Sequence, residues 1–346
     1  MATFVLRTAM ETPEERMGSS KRTASPLSMN PEPARKLAHV VAQDPGARPP
    51  HSVRSNIGSG LQPGAGHAVA SSSESSNEAA NAAQCEDNRW PIPAVARTGS
   101  SWKFLFILTP PYSGSTALAK VLKSSSKSML LNERGEGQWL VPGMCEPDRW
   151  DHEKTISWDS VEAVWSARVQ LVESLVGSVQ VVIEKSPPNI VRANQLVHQF
   201  PNSTLVTFNR NPYANCASSL YRNHEPQGKT EVQRIQWLRH LAQEWATRST
   251  WVRRWNDEFE TISLTYEQFC EDPSASVKRI VQGLPELSDV DVTRPIRVKD
   301  YPLQGIQNQN ERQISFLTAQ ERSAIGEELE LHSALLAYFG YDNCCD

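Results

Sequence analysis

Between Phe104 and Lys120 the chain runs from an apolar segment, Phe104 to Leu108, through Thr109-Pro110-Pro111 and a small polar turn into helix formers. An unbroken apolar run closed by proline reads as a short parallel strand buried on both faces. The turn is Tyr112-Ser113-Gly114-Ser115-Thr116, and the helix formers Ala117 to Leu122 open a helix expected to run to about Ser125. A strand that turns tightly into a helix N-terminus aims free backbone N–H groups and the positive end of the helix dipole at one point, the arrangement that holds a phosphate. Gly114 lets main chain approach an anion, and Ser113, Ser115 and Thr116 add hydroxyl donors. The competing reading is an ordinary strand-to-helix connection capped by Ser or Thr.

The turn is not a Walker A loop, which requires G-x-x-x-x-G-K-[ST]. Ser115 follows Gly114 here, and the stray Gly228-Lys229-Thr230 has Asn223 where the first glycine belongs. No strand leads into that second stretch, so it reads as loop.

Four more strands are expected, at Ser128–Leu131, Gln180–Ile183, Thr204–Phe208 and Phe259–Thr265, with helical segments between them. Strand-helix alternation predicts an α/β fold, a parallel sheet of about five strands with helices on both faces. Helices are expected over Trp158–Val176, Tyr213–Arg222, Val232–Trp255, Ser274–Val281 and Thr318–Phe339, the last opened by the capping box Thr318-Ala-Gln-Glu321. In such sheets ligands bind beyond the strands' C-terminal ends. Polar residues gather there: Asn132 to Gln138 after the second strand, Glu184-Lys185-Ser186-Pro187 after the third, and Asn209-Arg210-Asn211-Pro212 after the fourth. Ser218 and Arg222 share a helix face as i and i+4, so Arg210, Ser218 and Arg222 can converge on one phosphate. Solvated surface charge is the plainer reading for Arg222 and Lys185. The tryptophan-rich helix around Trp237, Trp245, Trp251 and Trp255 reads as core on one face and charge on the other.

These landmarks resemble the sulfotransferases that use 3′-phosphoadenosine 5′-phosphosulfate (PAPS). Their phosphate loop reads like P-R-S-G-T-T or P-R-S-G-S-T, against Pro111-Tyr112-Ser113-Gly114-Ser115-Thr116 here. Their second motif places a strand, an Arg and then a Ser eight residues later, matched by Arg210 and Ser218 (218 − 210 = 8). The resemblance covers about Trp102 to Tyr341 and implies a P-loop-like sulfotransferase fold and sulfuryl transfer from PAPS, as co-substrate and without a metal, to a hydroxyl or amine. It implies that Tyr112 to Thr116 hold the 5′ end, that Arg210, Ser218 and Arg222 hold the 3′-phosphate, and that Tyr266, in Tyr266-Glu267-Gln268-Phe269, lies near adenine. Glu184-Lys185-Ser186-Pro187 resembles the glycan and tyrosyl-protein members, in which the Lys contacts the transferring group. A late loop, about Val290 to Ser315 here, closes over the cofactor in the family. Two departures stand out. Tyr112 occupies the place of a loop Arg or Lys, and no His lies between Leu108 and Asp151 to serve as base, leaving Glu133 and Glu136. The acceptor, whether small molecule, glycan or protein tyrosine, is left open. Two alternatives stand beside this reading: a catalytically inactive nucleotide-binding protein of the same fold, suggested by Tyr112, and a nucleotide-dependent kinase, weakened by the missing loop Lys.

Charge and composition narrow the partners. Lys plus Arg number 35 against 39 Asp plus Glu, a net charge of −4, which argues against a nucleic-acid binder. No apolar run is long enough for a transmembrane segment or a signal peptide, whereas Golgi relatives normally carry an anchor. The six cysteines form no C-x-x-C and read as reduced thiols. A cytoplasmic protein is therefore expected. Residues 1–88 are rich in Ser, Ala, Gly and Pro with sparse large apolar residues, a composition that cannot offset ordering entropy by burial. They are expected to be disordered and residues 89–343 to form the sulfotransferase domain. Organelle targeting by that segment stays open, although Glu11, Glu14 and Glu15 are unusual in a transit peptide. Deleting residues 1–88 is expected to leave a single cooperative unfolding transition at an unchanged denaturant midpoint; a lost or broadened transition would show that the segment belongs to the folded core.

Overall fold

The computed structural model describes residues 102–298 and 301–341; the expectations for residues 1–88 lie outside them. Five strands form one sheet, each pairing parallel to its neighbours, in the order β2-β3-β1-β4-β5. They are β1 (Lys103–Leu108), β2 (Ser128–Leu130), β3 (Val181–Glu184), β4 (Ser203–Asn209) and β5 (Thr261–Thr265). The helices are α1 (Ser115–Leu122), α2 (Trp158–Val176), α3 (Ala193–Gln199), α4 (Pro212–Asn223), α5 (Glu231–Glu258), α6 (Tyr266–Glu271), α7 (Pro273–Gly283), α8 (Asn310–Ile314), α9 (Ala319–Glu330) and α10 (Ser333–Phe339). All five expected strands form, each within about two residues of its expected bounds.

β1 explains the two-sided burial. Phe104, Phe106 and Leu108 point to one face, where they meet Trp165 of α2 and Phe200. Leu105 and Ile107 point to the other, against Leu118, Val121 and Leu122 of α1 and Val277 and Ile280 of α7. A strand covered by helices on both faces needs apolar side chains at every position. The first face is aromatic: the Phe104 and Phe200 rings lie 4.6 Å apart and Trp165 stacks on Phe200 at 5.6 Å. A third cluster joins Tyr213, Cys216 and Leu220 of α4 to Leu238, Leu241 and Trp245 of α5 and to Ile325 and Leu329 of α9. The buried Leu238, Leu241, Trp245, Val252 and Trp255 confirm the core reading of α5, with Trp237 and Trp251 only partly buried. No helix among the described residues is long and apolar enough to cross a membrane.

Three expectations need correction. The helix expected over Thr318–Phe339 is two helices, α9 and α10, and the chain turns at His332 (φ −122°). Leu331 is thereby left exposed, while Leu335 and Leu336 swing into the third cluster beside Leu329. Val176, expected in the core, is exposed as the last residue of α2, next to the exposed Leu175. Cys145 is disulfide-bonded rather than reduced, while Cys216 and Cys270 are free thiols.

Trp165 is fully buried at the centre of the aromatic face. Trp165→Ala is expected to cost about 3–5 kcal/mol of stability through the cavity it opens. Urea unfolding measures this, and a loss below about 1 kcal/mol would place Trp165 outside the cooperative core.

Candidate active site

Neighbouring strands β1 and β4 carry their chains away in opposite directions, β1 toward β2 and β4 toward β5. A crevice opens at such a reversal beyond the strand ends. There lies a cavity of about 560 Å³ lined by Tyr112, Gly114, Ser115 and Thr116 after β1, Glu136 after β2, Lys185 after β3, Arg210, Ser218 and Arg222 after β4, and Tyr266 after β5.

The turn between β1 and α1 is fixed by its backbone. Gly114 adopts φ +85°, and a Cβ there would stand 2.4 Å from Cδ2 of Tyr266; both conditions require glycine. It is the N-cap of α1, and no side chain caps the helix, so the Ser or Thr cap of the competing reading is absent and the first helical N–H groups are left for an anion. Tyr112 also has positive φ, 63°. Its carbonyl accepts from Arg210 Nη1 at 3.0 Å, and that of Pro111 accepts from Asn215 Nδ2 at 2.7 Å. Ser113 is fully buried, with Oγ 3.3 Å from Asn215 Nδ2. Its hydroxyl supports the loop from behind and does not line the cavity. Tyr112, standing where a cation was expected, turns its ring toward α4 and α5. Its hydroxyl accepts from Asn223, and burial pushes it up to about 12 despite Arg248 nearby.

Arg210 is 3% exposed. Its Nε donates to Asn310 Oδ1 at 2.8 Å, and its guanidinium carbon sits 4.2 Å over the Tyr266 ring. Nη2 is buried without a partner. Burial pushes this guanidinium below its ordinary value, while Tyr266 and Glu267 oppose the shift. Leaving a buried cationic N–H unpaired is costly, and a phosphate oxygen would satisfy it. Ser218 is buried on α4, and Arg222 one turn on lies 5.0 Å from the Tyr301 ring. Tyr266 donates its hydroxyl to Gln307 O at 2.9 Å and accepts from Gln309 N at 3.1 Å, docking the late loop against the cavity.

Across the cavity, Lys185 (3% exposed) donates to Glu136 Oε1 at 2.5 Å. The other Glu136 oxygen accepts from Trp139 Nε1 at 2.7 Å. Of the two candidate carboxylates, Glu136 borders the cavity, whereas Glu133 is exposed and does not. The difference arises in the turn: Asn132 Oδ1 accepts from Arg134 N and Glu136 N, curling the chain so that Glu136 points inward.

Three residues were not singled out from the sequence. Glu184 is 1% exposed and accepts from Gly137 N at 2.6 Å, Ser186 N at 2.8 Å and Asn189 Nδ2 at 2.9 Å, tying the segments after β2 and β3 together. Glu267 and Asn310 stand behind Arg210. The only sequence signal was adjacency, Glu184 to Lys185 and Glu267 to Tyr266.

The model of the sulfotransferase family matches residues 105–288, the stretch that holds most of β1, all of β2 to β5, and Arg210, Lys185 and Glu136 of this cavity. The chain belongs to the sulfotransferase family. It is structurally similar to sulfotransferase STF9 from Mycobacterium avium, at 11% identity and TM-score 0.47, covering 77% of this chain and 81% of that one. It is similar also to a sulfotransferase from Alicyclobacillus acidocaldarius, at 16% identity and TM-score 0.44, covering 72% and 98%. A third is the sulfotransferase domain of the Synechococcus PCC 7002 olefin synthase, at 18% identity and TM-score 0.40, covering 73% and 99%. No curated protein sequence matches the chain.

Burial raises the Glu184 carboxyl to about 7, even against three N–H donors. The folded chain therefore holds this proton more tightly than the unfolded chain does. The stability it contributes is full below the unfolded value, about 4.3, and is lost as pH rises through about 7. Between pH 5 and 8 Glu184 is expected to lower the melting temperature. In Glu184→Gln, which cannot titrate, that component disappears although the variant starts less stable. Parallel melting curves against pH for the two proteins would show that the proton resides elsewhere.

Proposed function

We propose that the chain transfers the sulfuryl group of PAPS to an acceptor oxygen or nitrogen. The observation that carries this reading is the buried guanidinium of Arg210, whose Nη2 has no partner, on a residue that lines the same cavity as the uncapped N-terminus of α1. One end of the cavity suits a 3′-phosphate and the other a 5′-phosphosulfate.

In this reading Arg210 and Ser218 hold the 3′-phosphate, with Arg222 one turn further along α4. The N–H groups at the start of α1 and the hydroxyls of Ser115 and Thr116 hold the 5′ end. Tyr266, packed on Gly114 and on Arg210, offers a ring beside the adenine site. As the acceptor atom forms its bond to sulfur, the bond to the bridging phosphate oxygen breaks and negative charge grows on that oxygen. Lys185 neutralises that charge. Glu136 takes the proton leaving the acceptor, and its Trp139 contact holds it in place for that role. The ion pair between Lys185 and Glu136 holds both side chains at the cavity before substrates arrive. The product nucleotide is 3′,5′-adenosine bisphosphate.

Tyr112 supports a second reading, a protein that binds the nucleotide without turnover, since the loop cation of relatives is replaced. Arg222 and Arg248 both border the cavity near Tyr112. The two readings part on a panel of acceptors with labelled PAPS, and turnover that persists in EDTA separates the first from metal-dependent phosphate transfer.

Lys185→Ala is expected to lower turnover about a hundredfold or more, with bisphosphate affinity changed much less, because its charge matters most in the transition state. Normal turnover in Lys185→Ala with a confirmed acceptor would remove Lys185 from the chemistry.

A further inference from the structure

Arg210 is held from behind by a chain of hydrogen bonds that the donor-site reading does not use. Its Nε donates to Asn310 Oδ1 at 2.8 Å. The amide nitrogen of Asn310 donates to Glu267 Oε1 at 2.6 Å. That same carboxylate oxygen accepts from Asn211 N at 3.0 Å, and Glu267 Oε2 accepts from Tyr341 OH at 3.0 Å. Four separated segments thus meet at Glu267: the β4-to-α4 link, the start of α6 that carries it, the late loop at α8, and Tyr341, two residues past α10.

The direction of these bonds is informative. An amide side chain can present either its oxygen or its nitrogen, whereas a carboxylate only accepts. Glu267 therefore dictates that Asn310 turns its nitrogen toward Glu267 and its oxygen toward Arg210. With Nε fixed by Asn310 and Nη1 fixed by Tyr112 O at 3.0 Å, the planar guanidinium has no free rotation. Nη2 is left buried and unpartnered, on a residue that lines the cavity. A cation whose rotation is already lost gives up less freedom when it binds its anion.

We propose that Glu267 and Asn310 are positioning residues that fix the Arg210 guanidinium for one phosphate of the nucleotide, so that the late loop and the 3′-phosphate subsite form one unit. Acting through Arg210 rather than on the nucleotide, they belong to recognition of that phosphate and not to the sulfuryl end. The inference rests on the donor reading above.

The test is calorimetric titration of the full chain with 3′,5′-adenosine bisphosphate and with adenosine 5′-monophosphate, which lacks the 3′-phosphate. Asn310→Ala and Glu267→Ala are expected to weaken the bisphosphate about tenfold or more, the scale of one misplaced charge-assisted hydrogen bond, and the monophosphate less than about threefold. Glu267→Gln, whose amide oxygen can still accept from Asn310 and Asn211, is expected to stay within about threefold of wild type for both ligands. Should Glu267→Ala fail to fold, Asn310→Ala carries the same comparison. Equal losses for both ligands, or variants that bind like wild type, overturn the positioning role while leaving the donor reading intact. A wild-type chain with no preference for the bisphosphate overturns the donor reading, and this inference with it.

Discussion

A guanidinium taken almost wholly out of water must find acceptors for its N–H groups, and at Arg210 that demand organises the crevice. One N–H reaches the carbonyl of Tyr112, tying the turn after β1 to the end of β4. Another reaches Asn310 and so ties in the late loop. The cationic face lies over Tyr266, whose ring in turn covers Gly114. Elements from the beginning, middle and end of the fold therefore converge on one side chain. The Arg210 carbonyl adds α5, accepting from Trp245 Nε1 at 2.9 Å.

Across the cavity a buried carboxylate has the complementary task. Glu184 accepts three hydrogen bonds from the segments that follow β2 and β3. Lys185 N donates to Gly135 O at 2.7 Å, closing the same junction through the backbone. Lys185 and Glu136 thus emerge from turns held at both ends, which narrows the positions their charged tips can take. The cavity has an Arg210 wall and a Lys–Glu wall because two buried ionisable residues, Arg210 and Glu184, tie the surrounding loops together.

The strands, the turn after β1 and the Ser218–Arg222 pair were legible because each rests on local pattern: apolar runs, a glycine between hydroxyls, a helical i and i+4; the eight-residue Arg210–Ser218 spacing was legible only through the family resemblance. Ser113 shows the limit of such reading. Its residue type suits an anion donor, yet its side chain is fully buried, accepts from Asn215, distant in sequence, and does not line the cavity. Glu133 and Glu136 are equivalent by composition, and an Asn132 turn separates them. The break at His332 was hidden because it contains neither proline nor glycine, and burial of Leu335 and Leu336 decides it.

By itself the sequence determined a parallel α/β sheet, the turn that can hold an anion and the types of residue at each strand end, because these depend on neighbours a few positions apart. Only the tertiary structure decided which charges face each other and which stand behind. Asn310 meets Arg210, and Lys185 meets Glu136, across 100 and 49 positions. No local periodicity encodes a contact at such a separation. It is fixed when the sheet order brings β1, β3 and β4 side by side and burial forces their polar ends to find partners.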